Sequence, residues 1–257
     1  MAVDLVVSET GAGPPLVILH GLFGSRRNWT SIARVLGRHH RVVTVDLRNH
    51  GESPWDERMD YPALAEDVAV LIGAVAGGMA SVCGHSMGGK VAMTLALTAP
   101  ERIDRLVVVD IPPAASRGTS IDLVRAIRAV PLVECSSRAD VAAALAATVP
   151  DPAIRSFLAQ SVTVRPEGLA WSVNLSVIER EFETILGFPD LAAGNAFAKP
   201  TLFIAGGRSA YLRPRHWPEI QRLFPAATLE VVEEAGHWVH ADAPQPFTRL
   251  VERFLGA

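Results

Sequence analysis

Ser86 stands between Gly84 and Gly88 in Val82-Cys83-Gly84-His85-Ser86-Met87-Gly88-Gly89-Lys90, where a short apolar run gives way to a run of helical character. On such a turn the hydroxyl is pushed out towards a substrate, and glycines two residues to either side let neighbouring backbone pass closely. The chemistry this suggests is nucleophilic attack on an acyl carbon. A serine hydroxyl is a weak nucleophile at neutral pH, so that chemistry needs an imidazole base, a carboxylate to orient it and amide donors for an oxyanion. A glycine-rich turn with no chemistry is the competing reading, and the partners elsewhere in the chain decide between them.

Two further residues fit the missing roles. His237 follows the strand candidate 229–232 within Gly236-His237-Trp238-Val239-His240, and Asp110 ends the apolar run 106–109 ahead of Ile111-Pro112-Pro113. The more distant Glu233 and Glu234 are alternative acids. Asp46, Arg48 and His50 read as a polar network holding the loop beside Ser86, His20 as a brace for its own loop, His85 as packing of the turn, and His39, His40 and His216 as surface residues. No set of histidines, cysteines and carboxylates has metal-ligand spacing, so no metal or other cofactor is expected.

The elements that must position these groups are strands alternating with helices. Runs 16–19, 42–45 and 106–109 are nearly unbroken aliphatic stretches, the pattern of strands buried on both faces of a parallel sheet. Strand candidates also fall at 5–7, 81–83, 201–205 and 229–232. Helical spacing covers 28–36, 61–75 and 90–99, and a final helix 246–255; in 61–75, Leu64, Val68, Leu71, Ile72 and Val75 share one face. The pattern implies an α/β fold with a mostly parallel central sheet and helices on both faces, whose working residues collect beyond the carboxyl ends of the strands. Ser86, Asp110 and His237 each lie there.

Between Asp110 and Thr201 the character changes. Helix-like pieces at 121–130, 139–147, 154–160 and 171–186 occur without a buried-strand run, so 113–198 reads as a helical cap on a core of 1–112 and 199–257. Phe23, Trp171, Phe182 and Trp238 are the candidates to line a substrate pocket, with Phe157 and Leu158 behind them; at helical spacing such residues also serve a cap's own core.

With 257 residues, 49% hydrophobic and 20% charged, the chain can bury a large core, and its net charge of -3 gives no electrostatic reason to expect nucleic acid or an anionic membrane as a partner. The start lacks a secretory signal and no apolar run is long enough for a membrane span, so a cytoplasmic, soluble protein is expected, as a monomer or small homo-oligomer. Cys83 and Cys135 have no disulfide framework around them.

Taken together, Leu19-His20-Gly21-Leu22-Phe23-Gly24-Ser25, Asp46-Leu47-Arg48-Asn49-His50-Gly51-Glu52-Ser53-Pro54, Gly84-His85-Ser86-Met87-Gly88-Gly89-Lys90 and Val109-Asp110-Ile111 resemble the α/β-hydrolase superfamily. Within it they resemble a branch of small bacterial acyl-ester and acyl-CoA-type esterases with a mitochondrial animal relative. The resemblance implies Ser86 as nucleophile, His237 as base, Asp110 as acid, and backbone amides of Leu22 and Met87, with Phe23 as a further donor, in an oxyanion hole. It also implies a cap inserted after the sixth core strand. The commoner superfamily seat of the acid, the loop after strand 201–205, reads Gly206-Gly207-Arg208-Ser209-Ala210-Tyr211 and has no carboxylate, which moves the assignment to Asp110.

The expected activity is hydrolysis of small to medium acyl esters or thioesters through an acyl-enzyme on Ser86. A C-C bond hydrolase, a lactonase, a cofactor-free perhydrolase and a non-enzymatic ligand receptor are the alternatives compatible with the same residues.

Overall fold

Aliphatic runs become strands buried on both faces in a computed structural model of the chain, which describes residues 1–116, 120–191 and 195–256. The first part of the chain alternates β1 (Val7–Thr10), β2 (Pro15–Leu19), α1 (Thr30–Leu36), β3 (Arg41–Val45), α2 (Tyr61–Val75), β4 (Ala80–His85), α3 (Met87–Thr98) and β5 (Ile103–Val109). After β5 come α4 (Ile121–Arg128), α5 (Arg138–Ala144), α6 (Pro152–Ala159), β6 (Val162–Arg165), β7 (Gly168–Trp171), α7 (Leu175–Arg180) and α8 (Phe182–Leu186). The chain then returns to the core with β8 (Thr201–Gly206), α9 (Trp217–Leu223), β9 (Ala227–Val232), α10 (Val239–Asp242) and α11 (Pro244–Leu255).

Seven strands form one sheet in the order β1-β3-β2-β4-β5-β8-β9, with β1 antiparallel to β3 and every other neighbour parallel. Alternation along β2 shows how the two faces are filled. Leu16 and Ile18 pack with Trp29, Ile32, Leu36, Phe247 and Val251 on the side of α1 and α11, whereas Val17 and Leu19 pack with Leu64, Val68, Val91 and Leu95 on the side of α2 and α3. Strand order reverses between β2 and β4, so the loops leaving these two strands flank a crevice at the sheet's carboxyl edge.

The insertion departs from expectation in three ways. It follows the fifth strand of this chain, not the sixth, because a single strand precedes β2 among the described residues. It is not wholly helical, since β6 and β7 form a separate antiparallel hairpin. Its strands are largely half-exposed or exposed, and β7 opens on Gly168 at φ 124, so no buried aliphatic run announced it. Finally, the helix expected over 171–186 is broken into the end of β7, α7 and α8.

Polar contacts tie the insertion to the core. Lys90 Nζ donates to the carbonyls of Leu186 (2.7 Å) and Gly187 (2.6 Å), Tyr61 donates its hydroxyl to Ile185 O (2.5 Å), and the Asn174 amide donates to Asn49 O (2.9 Å). Ser161 Oγ donates to Phe23 O at 2.5 Å, linking the insertion to the loop after β2.

Candidate active site

β4 ends at His85 and α3 begins at Met87, so the turn between them is the single residue Ser86, at φ 53 and ψ -119. A positive φ is strained for a residue with a side chain, and surrounding structure must hold it there. The Ser86 amide donates to Val109 O at 3.0 Å, and its carbonyl accepts the Lys90 amide at 3.1 Å. Glycine is required at both flanks: a Cβ on Gly84 would lie 2.2 Å from Gly88 O, and one on Gly88 would lie 2.5 Å from His20 O. Met87 opens α3, so its amide has no intrahelical acceptor and lies at the positive end of the helix dipole.

His237, in the loop between β9 and α10, places Nε2 3.0 Å from Ser86 Oγ and Nδ1 2.7 Å from Asp110 Oδ2. A carboxylate only accepts, so Nδ1 carries the ring proton and Nε2 is left to accept from the serine hydroxyl. Asp110, the residue after β5, is wholly buried at φ 51; Oδ1 accepts the Gly206 amide at 3.2 Å and Oδ2 also accepts the Ser209 hydroxyl. Tyr211 lies flat on the His237 ring, with centroids 3.8 Å apart and planes 15° apart. Such a run of hydrogen bonds can pass a proton from Ser86 to the imidazole while the carboxylate stabilises the imidazolium. Glu233 and Glu234 are exposed and take no part.

Around this run the histidines are neutral supports. His20 Nε2 accepts the Leu47 amide at 3.0 Å; burial, against a hydrogen bond to Gly21 O, pulls its pKa down to about 4. Burial and the neighbouring His20 pull His50 down to about 3. His50 Nε2 accepts the Phe23 amide at 3.3 Å, which removes Phe23 from the candidate oxyanion donors: its N–H already has a partner. Asp46 accepts the amides of Arg26 (2.7 Å) and Glu52 (2.9 Å), and buried Arg48 grips Asp67 through Nε (2.6 Å) and a terminal nitrogen (2.7 Å). This is the polar network expected of that loop. His39 is exposed, His216 half-buried, and His40 is buried rather than on the surface because the turn after α1 folds it inward. Cys83 is inert, its thiol pushed up to about 12 by burial.

Ser86 and His237 open into a cavity of about 260 Å³ walled chiefly by Leu22, Phe23, Ile154, Phe157, Tyr211 and Trp238. Phe23 and Trp238 are therefore where the sequence reading puts them. Trp171 and Phe182 are not: Trp171 pairs with Val162 in the β6–β7 hairpin, and Phe182 is buried in the hydrophobic cluster that the insertion shares with the α2 and α3 side of the sheet. Sequence reasoning missed Ser209 and Tyr211, although their loop was singled out for lacking a carboxylate, and it missed Leu123 and Ile154 on the cavity wall. A larger cavity of about 630 Å³, among Arg26, Arg27, Arg138 and Arg165, touches neither Ser86 nor His237. Convergent chemistry, not size, marks the candidate site.

The family model for the alpha/beta hydrolase fold matches residues 14–244. An sn-1-specific diacylglycerol lipase of Xenopus tropicalis is 40% identical over 251 residues, covering 95% of this chain and 78% of the relative. Esterase YbfF of Escherichia coli is 37% identical over 242 residues, covering 94% and 92%. A solved structure titled marine microorganism esterase superposes with a TM-score of 0.93 at 32% identity, covering 98% of this chain and 100% of that one.

Proposed function

The chain belongs to the α/β-hydrolase family and is an enzyme of esterase type; on that premise we propose that Ser86 is the nucleophile of a serine hydrolase acting on carboxylic esters or thioesters of small to medium acyl groups. The observation that carries this reading is the hydrogen-bonded run from Asp110 through His237 to Ser86, at 2.7 and 3.0 Å, ending in a largely apolar cavity.

In this reaction Ser86 Oγ attacks the acyl carbon as its proton passes to His237 Nε2. The carbonyl oxygen becomes an oxyanion held by the amides of Leu22 and Met87, each donor contributing about 3 kcal/mol to the transition state. Collapse expels the alcohol or thiol, which takes the proton from His237, and leaves an acyl-enzyme. Water, deprotonated by the same ring, then attacks the acyl carbon and releases the acid and Ser86.

Residues 113–198, of which 117–119 and 192–194 lie outside the described residues, serve in this reading as a cap over the core of 1–112 and 199–257. Leu123, Ile154, Phe157 and Leu158 from that segment wall the cavity and support the assignment. No helix among the described residues is long and apolar enough to cross a membrane. A cytoplasmic monomer or small homo-oligomer is the corresponding proposal, acting on small molecules.

A fluorophosphonate should label the wild type and spare Ser86→Ala. Against nitrophenyl esters and acyl-CoA thioesters of graded chain length, His237→Ala and Asp110→Asn should each lower kcat by about 10⁴-fold or more. Equal labelling of Ser86→Ala, or its undiminished hydrolysis, would sink the reading.

A further inference from the structure

We infer that the cavity of about 630 Å³ at the junction of insertion and core is a binding site for a free nucleoside monophosphate, a phosphate monoester that carries an aromatic base. The inference is independent of the roles proposed above for Ser86, His237 and Asp110, none of which lines this cavity.

Arginines meet the cavity from both sides. Arg26 and Arg27 precede α1 on the core, whereas Arg138 opens α5 and Arg165 ends β6 on the insertion. Their charges are not equally free. Arg26 is paired with Asp46 and Glu52, and Arg27 lies 2.6 Å from Glu52, so the two carboxylates of the wall offset the two core arginines. Arg138 instead donates from Nε and a terminal nitrogen to the carbonyl oxygen of Val162, at 3.0 and 2.8 Å. A neutral acceptor holds the guanidinium in place without cancelling its charge. Neither Arg138 nor Arg165 is in an ion pair among the described residues. Two positive charges, both on the insertion, are therefore left uncompensated.

The ligand class follows from charge, shape and surface. Guanidinium forks match the oxygens of a phosphate, and a phosphate monoester carries a charge of about -2 at neutral pH, which balances Arg138 and Arg165. The volume lies within the roughly 300–1,000 Å³ of small-molecule sites and exceeds what a bare phosphate would fill. Trp55, in the loop between β3 and α2, lines the same cavity and is 54% exposed. An indole face left in water beside a phosphate-sized cluster of charge suits a stacked base. A nucleic acid is the poorer occupant, because the chain's net charge of -3 gives a polyanion no wider attraction.

Calorimetric titration and thermal shift of the full chain test the site with AMP, ribose 5-phosphate, adenosine and NAD⁺. AMP should bind, and ribose 5-phosphate and adenosine should each bind at least about tenfold more weakly, since one lacks the base and the other the phosphate. NAD⁺, which has no phosphate monoester, should be weaker by a similar factor; equal affinity would show a site for the nucleotide portion of larger molecules and overturn the assignment to a free monophosphate. Arg165 is exposed and has no hydrogen-bond or ion-pair partner among the described residues, so Arg165→Gln leaves the fold's own contacts intact. Arg165→Gln and Arg138→Gln should each weaken AMP by about tenfold or more, and Trp55→Leu should do the same while leaving ribose 5-phosphate within about twofold. No heat and no thermal shift with AMP at about 10 mM overturns the proposal, as does wild-type AMP affinity in Arg165→Gln. AMP should also leave the KM for a short-chain nitrophenyl ester within about twofold. A KM that climbs with AMP alike in wild type and Arg165→Gln would put the ligand in the cavity at Ser86 and overturn the assignment to this one.

Discussion

His85 Nε2 lies 2.9 Å from the backbone carbonyl oxygen of His237, so the residue before the candidate nucleophile holds the loop that carries the candidate base. Because a carbonyl only accepts, the His85 ring donates from Nε2. Burial first, then the nearby His237 and His240, holds its pKa well below the ordinary imidazole range. His85→Phe, which has no donor, should lower kcat/KM by about tenfold, and His85→Gln should lose less. Steady-state kinetics on a nitrophenyl ester would check this; equal rates for all three proteins would show that the bond does not position the loop.

Acid should weaken the fold through its buried neutral histidines. Burial lowers the pKa of His20 to about 4, of His50 to about 3 and of His240 to about 3, all from an ordinary value of 6.5. Between about pH 6.5 and 4 the unfolded chain binds these protons and the folded chain does not, so stability rises with pH in that window and falls as pH drops through it. Each imidazole contributes a slope of about 1.4 kcal/mol per pH unit where the difference is complete. Urea midpoints at pH 7 and pH 5 would show the loss, and His20→Gln should make the dependence shallower.

Lys90 predicts a second dependence, on the alkaline side. Its ammonium is buried and its pKa is pulled down to about 7 by desolvation, from 10.5. From about pH 7 to 10.5 the unfolded state binds the proton more tightly, so stability should rise with pH there by up to about 1.4 kcal/mol per unit. Lys90→Met should remove this rise and, by stripping the donor from Leu186 O and Gly187 O, lower stability throughout. Denaturant unfolding at pH 7.5 and 9.5 gives the comparison, and a wild-type stability independent of pH would contradict it.

Glycine substitutions should split by what their new methyl group meets. Gly84→Ala drives a Cβ to 2.2 Å from Gly88 O and should cost about 3 kcal/mol while misplacing Ser86. Gly73→Ala, in exposed helical backbone of α2 with Arg102 no closer than 3.7 Å, should add about 1 kcal/mol. Thermal melts of the two variants should move in opposite directions.

Phe157 and Trp238, with ring centroids 5.3 Å apart, close one side of the cavity. Phe157→Ala should shift the chain-length preference of ester hydrolysis toward longer acyl groups, with fluorophosphonate labelling of Ser86 unchanged. A uniform loss across all chain lengths would mean that the ring supports the site rather than limits it.

Ser86, Asp110 and His237 were legible in the sequence because each closely follows an aliphatic run, and such runs become parallel strands that end at one edge of a sheet. The two glycines beside Ser86 were legible for a related reason: close backbone passage leaves a compositional trace. Ser209 and Tyr211 leave none, since their meaning lies in contacts with Asp110 and His237, which are distant in the chain. The Phe23 amide was misread because which N–H groups of a loop stay unpaired depends on where His50 folds. Trp171 and Phe182 were misread because an aromatic residue at helical spacing packs inward as readily as it lines a cavity, and the half-exposed β6–β7 hairpin lacked the aliphatic run that marks a core strand.

Part of the cavity wall comes from a different stretch of chain than the candidate reacting groups. Ser86, Asp110 and His237 follow core strands, as the wall residues Leu22 and Tyr211 do, whereas Leu123, Ile154, Phe157 and Leu158 come from the insertion, which is moored through Tyr61, Asn49 and Lys90. Such a division lets natural variation retune what is accepted without disturbing the proposed proton path. Related chains should accordingly diverge most between β5 and β8, and exchanging that segment between them should carry substrate preference with it while leaving the reactivity of the serine in place.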